Sequence, residues 1–302
     1  MRYSIAFAAA ALASSVSAHG VITQVQGANG VNMPGLSVID GTPRDSGNPL
    51  SGSEADTSII RTKEMGGKAS ALGRTQGGGA VDAASAIATF MGTGGAAAGG
   101  AAAGGAAAKG TAAKGTAANK RGLLDALTGG AGKAGGAASA AGTKTPKGTS
   151  EDGVAAAAGQ GASQGLPTTA DDGTITMTFH QVNQDGAGPL TAAIDATSGG
   201  TDPAAFQDAK VTQDVPGIGI GGLSAAAVMD FPVKVQMPQG MTCQGTAGGA
   251  QNVCIVRMQN AALAGPFGGS AAFTQSTAAK KRAVEYNLRK RHMARGILGK
   301  PE

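Results

Sequence analysis

The sequence predicts a mainly β protein: an antiparallel immunoglobulin-like sandwich with long loops, one short helix, a disordered Ala/Gly-rich insertion and a basic helical tail. Three stretches carry that prediction. Thr174 to His180 alternates strictly, with Ile175, Met177 and Phe179 on one face and three threonines on the other. Met229, Phe231, Val233, Val235 and Met237 alternate with Asp230, Lys234 and Gln236, and Pro232 among them points to an edge strand. Asn252 to Gln259 sends Cys254, Val256 and Met258 one way. A period of two marks strands that bury one face, and two sheets closing on each other bury both.

Taken from the start, residues 1–18 have a basic beginning, a short alanine-rich apolar stretch and the small-residue ending Val16-Ser17-Ala18. That is the pattern of a secretory signal peptide, and it predicts a secreted, extracellular protein whose mature chain begins at His19. Residues 19–92 form the first part of the domain. Gly20 to Gln26 and Leu36 to Ile39 read as short strands, and Val81, Ala84, Ala88 and Met91 recur at helical spacing between Gly79 and Gly92. Residues 93–164 are mostly Ala, Gly, Thr, Ser and Lys. Such a stretch has too few large apolar side chains to offset its own chain entropy, so it reads as a flexible insertion. Within it only Gly122 to Leu127 has the composition for a helical turn. Residues 165–276 complete the sandwich, and 277–302 form the basic tail. Thr277 to Arg295 reads as a solvated helix, with dibasic pairs at Lys281-Arg282 and Lys290-Arg291 offering proteolytic trimming as a second reading.

The chain has 2 cysteines, so no dense disulfide framework holds it together. Cys243 and Cys254 lie close enough in sequence to bridge across a short loop, worth roughly 3 kcal/mol in chain entropy. The apolar leader is too short to span a bilayer, and no later segment is long and apolar enough. No hydrophobic C-terminal anchor signal and no Asn-x-Ser/Thr sequon occur. The net charge of +5 is concentrated: residues 280–302 hold eight Lys/Arg against Glu285 and Glu302, leaving the rest near neutrality. A basic tail on a near-neutral, exported body argues against a nucleic-acid-binding domain, and a monomer is expected.

Cleavage after Ala18 would give His19 a free α-amine beside its own imidazole. Those two nitrogens can chelate one metal ion. His180 ends the threonine-rich strand on the polar face by parity and is expected to point outward. It would supply a third nitrogen. An all-nitrogen set selects copper(II), which also tops the divalent affinity series. Zinc would ask for a fourth protein ligand, and no cysteine or carboxylate cluster offers one. His292 sits among Arg289, Lys290, Arg291 and Arg295, where a cation would be repelled.

His19-Gly20-Val21-Ile22 resembles the mature start of the lytic polysaccharide monooxygenases, whose copper sits in a histidine brace. His180 to Pro189, with Cys254 to Asn260 leading into Ala264 to Gln275, is similar to the secreted filamentous-fungal Egh-type or Gas-like family associated with appressoria and host penetration. The basic end is similar too. By that resemblance His19 and His180 form the brace, and a late-strand Tyr or Phe takes the axial position. Tyr3 lies in the leader and Tyr286 in the tail, so the ring must be Phe. Phe273 is the first choice, with Gln275 as hydrogen-bonding support, and Phe267 the second, since Gly265-Pro266-Phe267-Gly268-Gly269 reads as a turn anchored by one ring.

With no Trp and no Tyr in its core, the chain cannot present a flat aromatic platform to a crystalline polysaccharide. Asn183, Gln184 or Asp185 could still meet an amorphous glycan. Copper-dependent oxidation of such a glycan is therefore one expectation. A non-catalytic partner role, on cell-wall polysaccharide or a host surface, is the other. No nucleophile motif accompanies the histidines. Asp171, Asp172 and Asp195 read as turn residues, and Gly217 to Gly222 lacks the Lys-Ser/Thr of a phosphate loop.

Overall fold

A computed structural model of the chain describes residues 19–94, 138–139, 141–217, 223–262 and 264–298. The leader, the helical turn at 122–127 and most of the 217–222 glycine run fall outside them. Two antiparallel sheets face each other. The first carries β2 (Asn32–Pro34), β1 (Gly20–Gln26), β8 (Thr174–Gln181), β11 (Met229–Gln236) and β10 (Phe206–Asp214), in that order. The second continues from β10 through β9 (Thr191–Asp195), β13 (Ala250–Gln259), β14 (Phe267–Phe273), β3 (Ser58–Ile59), β4 (Arg74–Thr75) and β5 (Gly79–Ala80). Short strands β6 (Ala138–Ser139), β7 (Thr143–Lys144) and β12 (Gly245–Ala247) flank this path.

The strand β10 turns the corner between sheets. Its first half, Phe206 to Ala209, pairs with β9, and after that Lys210 to Gln213 pairs with β11. On the opposite side β14 lies tight against β1: a Cβ on Gly269 would come within 2.6 Å of the Ile22 nitrogen. The sandwich is thereby curled toward a half-barrel. Ile175, Met177, Phe179, Phe231, Val233, Val235, Ile255, Val256 and Phe273 fill it. Cys243 and Cys254 are joined by a disulfide that ties the loop before β12 to β13.

The first strand shows why alternation alone misleads. Ile22 pairs with Phe179 and Gln24 with Thr178, so Thr23 is an extra residue in a bulge. The bulge resets parity and lets both Ile22 and Val25 enter the core. In β11 the proline position has a similar local cause. The strand is internal rather than at an edge, but β10 pairs no further than Lys234 and β7 begins at Asp230. The Pro232 carbonyl accepts from Gln213 Nε2 at 3.0 Å, so the nitrogen lacking a hydrogen faces the same gap. No ladder bond is lost.

Three boundaries differ from expectation. Leu36 to Ile39 is an irregular segment; its backbone is held by bonds such as Leu36 N–H to Ser270 O at 2.8 Å, and the strand lies earlier at β2. The helix α1 (Ala83–Met91) forms with Asp82 capping Ala84 and Ser85 and Gly92 in the left-handed conformation, yet it buries Ala83, Ile87 and Phe90. Phe90 outweighs the alanine stripe as a source of buried area.

The third difference is the largest. Residues 141–164, expected to belong to the flexible insertion, return as β7, α2 (Gly153–Ala157) and α3 (Gly161–Gln164) and pack on the body. Arg44 is the reason. Its guanidinium reaches Asp56 at 2.5 and 3.0 Å and Glu151 at 2.7 and 2.9 Å, with 5% of its side chain exposed. Backbone bonds Glu151 N–H to Thr42 O and Arg44 N–H to Thr149 O zip the two segments together. Thus a charged clamp replaces an apolar core in this layer, over the outer face of β1, β8 and β11.

Removing one member of a buried ionic cluster leaves the others desolvated and unpaired. Arg44→Ala is therefore expected to destabilise the protein by about 3–5 kcal/mol in urea unfolding. It should also speed proteolysis within 141–160 before global unfolding; unchanged stability would show that the clamp contributes nothing.

Candidate functional site

The strands β1 and β8 place both body histidines on one face. Val21 stands directly opposite His180 and Gly20 opposite Gln181, and the ladder continues as Val182 N–H bonds to His19 O at 3.0 Å. His19 therefore shares a face with Val21 and is the diagonal neighbour of His180. Diagonal neighbours on a sheet have Cβ atoms about 7 Å apart, within reach of long side chains. Gly20 is required by the core side: a Cβ there would meet Phe179 Cζ at 2.4 Å.

This is the outer face of the sheet by parity, as expected for His180, but it is not a surface. His180 is 0% exposed and His19 3% exposed. The loop carrying Glu54 and the ring of Phe267 close over His19.

Each imidazole is oriented by a carboxylate. His180 Nδ1 lies 2.7 Å from Asp230 Oδ1, and Asp230 is its direct cross-strand partner on β11. A bond to a carboxylate fixes the hydrogen on Nδ1 and leaves the lone pair on Nε2. That Nε2 is buried and has no hydrogen-bond partner among the described residues. His19 Nε2 lies 3.3 Å from Glu54 Oε2, and the His19 backbone N–H donates to Asn183 Oδ1 at 2.7 Å. Asn183 Nδ2 donates in turn to Glu54 Oε1 at 3.0 Å, closing a ring of three residues. Burial, helped by the Asp185 carboxylate, pushes the Glu54 carboxyl up to about 7, with the Asn183 bond acting in the other direction. Burial raises Asp185 as well.

The aromatic ring beside His19 is Phe267. The ring centroids are 4.5 Å apart with planes inclined by 36°. Phe267 begins β14 opposite Ile59, whereas Phe273 ends that strand opposite Cys254. Six residues of extended strand separate them by about 20 Å. Phe273 is fully buried in the main core, and Gln275 accepts from Cys243 N–H and donates to Met241 O near the disulfide. The turn reading of Gly265 to Gly269 thus understated Phe267, which opens a strand. Glu54 and the orienting role of Asp230 were missed. Asp230 sits in the polar row of a readable strand, while Glu54 belongs to an irregular loop without motif or period.

Asp195 proves to hold the turn after β9, accepting from Thr197, Ser198 and Gly200 N–H groups and from Ser198 Oγ. Among the described residues no group of three or more His, Cys, Asp or Glu side chains could hold a metal ion. A three-nitrogen site here must therefore take its third donor from the backbone amine of His19.

The Egh16-like virulence factor profile matches residues 17–268, a span that runs from just before His19 to just after Phe267. The chain belongs to the Egh16-like family. Appressoria-specific virulence factor GAS2 of Pyricularia oryzae is 60% identical over 299 residues, covering 98% of this chain and 97% of that protein. Appressoria-specific virulence factor GAS1 of the same fungus is 40% identical over 129 residues, 41% of this chain and 50% of its own length. No solved structure matches. Among the described residues no helix of this Egh16-like protein is long and apolar enough to cross a membrane.

Ring-current shifts test which phenylalanine borders the site. Phe267→Leu should remove the upfield displacement of the His19 ring protons in NMR spectra, and Phe273→Leu should leave it in place. The reverse pattern would refute this packing.

Proposed function

We propose that this Egh16-like protein is a secreted fungal virulence protein of the appressorium that binds copper(II). The ligands are the His19 amine and imidazole, released by removal of residues 1–18, and His180 Nε2. One observation carries the reading: a buried imidazole nitrogen, without a hydrogen-bond partner among the described residues, whose opposite nitrogen is pinned by Asp230. Burying such a lone pair costs free energy unless something binds it. Its diagonal placement beside His19 supplies the other two nitrogens, and all-nitrogen ligation favours copper.

The family relationship supports the biological half of this reading, since the relatives bear appressorium-specific names. The chain's own residues have separate tasks. Asp230 orients His180, Glu54 meets His19 Nε2, and Asn183 accepts from the His19 nitrogen. Phe267 walls the site with an apolar ring. Copper in such surroundings would supply one-electron redox chemistry. Both histidines are covered, however, so the closed conformation favours copper binding over direct oxidation of a polymeric glycan. Attachment to cell-wall polysaccharide or a host surface remains the second reading.

Copper titration of protein whose first residue is His19, followed by calorimetry and electron paramagnetic resonance, tests the proposal. Three-nitrogen hyperfine structure is expected. A single extra residue before His19, or His180→Ala, should abolish tight binding. Asp230→Ala should weaken it by about 10–100-fold. Binding should also weaken as pH falls, because protons compete for the amine and imidazoles. Equal affinity with and without the extra residue would overturn the site.

A further inference from the structure

The strongest feature left unexplained by the metal site is the helix α4 (Thr277–Leu298). Its first half is fastened to the body. Ser276 Oγ accepts from Ala279 N–H, Ala279 and Ala283 are buried, and Asn287 Nδ2 donates to Gly240 O at 2.8 Å. From Leu288 to Met293 every side chain is exposed. The helix thus stands on the body as an anchored arm, with about 16 Å from Leu288 to its end.

Lys280, Lys281, Arg282, Arg289, Lys290 and Arg291 are all exposed, and Glu285 is the one acid between Thr277 and Leu298. Among the described residues no ion pair within 4 Å involves this helix; Arg282 feels only the more distant Asp172. With seven Lys/Arg against one Glu the helix carries +6, more than the net +5 of the whole chain. Concentrated, unneutralised cations raise the local concentration of a polyanion and release its counterions on contact.

The distribution of these cations selects the kind of polyanion. Successive helical residues are turned by about 100°, so Arg289, Lys290 and Arg291 point to three different sides. A helix that lies in a lipid interface has one continuous apolar face. Here Val284 and Leu288 make one four-residue pair and Met293 and Ile297 another, nine positions on and about half a turn round the helix, so no continuous apolar stripe forms and cations flank both. Binding of single-stranded nucleic acid adds exposed aromatic platforms for base stacking. The helix has one aromatic residue, Tyr286, set against Gly240. Polyanions that need neither stacking nor insertion fit this arrangement, and among them a flexible chain of uronates can meet cations on several sides of one helix.

We propose that α4 is a docking arm for an acidic, carboxylate-bearing polysaccharide. Its cations neutralise successive uronate groups while the body stays oriented by the Asn287 and Ala283 anchor. The arm shares no ligand with the proposed copper site and lies beyond the family match.

The test uses the full mature chain with polygalacturonate as the probe, against its fully methyl-esterified form. Polygalacturonate should bind and the ester should not, with log affinity falling linearly against log salt. Each neutralised charge contributes about 0.7 to that slope, so replacing Arg289, Lys290 and Arg291 by Gln should reduce it by about 2. The triple variant lies on the exposed part of the helix and should retain the thermal melting and copper titration of the parent. Affinity unchanged by the triple substitution, or equal for the esterified polymer, would overturn the proposal. Tighter binding to phosphatidylserine vesicles or to DNA than to polygalacturonate would do so as well.

Discussion

The register between β1 and β8 is the constraint on which the rest depends. With Val21 opposite His180, the two histidines share a face and lie diagonally across one ladder. A slip by one residue would send His19 into the core and Gly20 outward. The core prevents that slip from within, because Phe179 occupies the space a side chain at position 20 would need. The Thr23 bulge prevents it from the other end by admitting Val25 to the interior. Apolar packing thus sets the geometry of a polar site without touching it.

The second layer follows from the first. An outer face carrying two imidazoles, Asp230 and a row of threonines could have remained solvated. Instead an Arg44-centred cluster draws residues 141–153 against it, leaving a cavity lined by Arg44, Glu151, Thr178 and Asp230 between the two. At the His19 end of the sheet, burial raises Glu54 and Asp185. The clamp holds a weakly apolar segment in place.

Much of this was legible in the residues, and the boundary of legibility has physical causes. Strands β8, β11 and β13 and the face of His180 follow from a period of two, the helical tail follows from its composition, and α1 follows as an element although its buried stripe is Ala83, Ile87 and Phe90 rather than the one the spacing gave. The burial of His180 does not follow, since parity gives a face and says nothing of what covers it. The fold of 141–164 escapes for the same reason that it looked unstructured: its few apolar residues matter less than Glu151, one acid engaged by an arginine 107 positions away. Phe267 and Phe273 were separable only by register, as both are phenylalanines on one strand near glycines. Glu54 had no signal at all. Its role arises from a loop closing over a strand end.

Burial also bears on the order of events. The His19 nitrogen already meets Asn183 Oδ1, an acceptor that serves an amide hydrogen and an ammonium hydrogen alike. The pocket can therefore form around His19 before or after the leader is removed. Only a cleaved chain offers that nitrogen as a ligand, because an amide lone pair is delocalised into its carbonyl. On the proposed copper reading, folding and metal competence are therefore separable, because the Asn183 contact does not require a free amine.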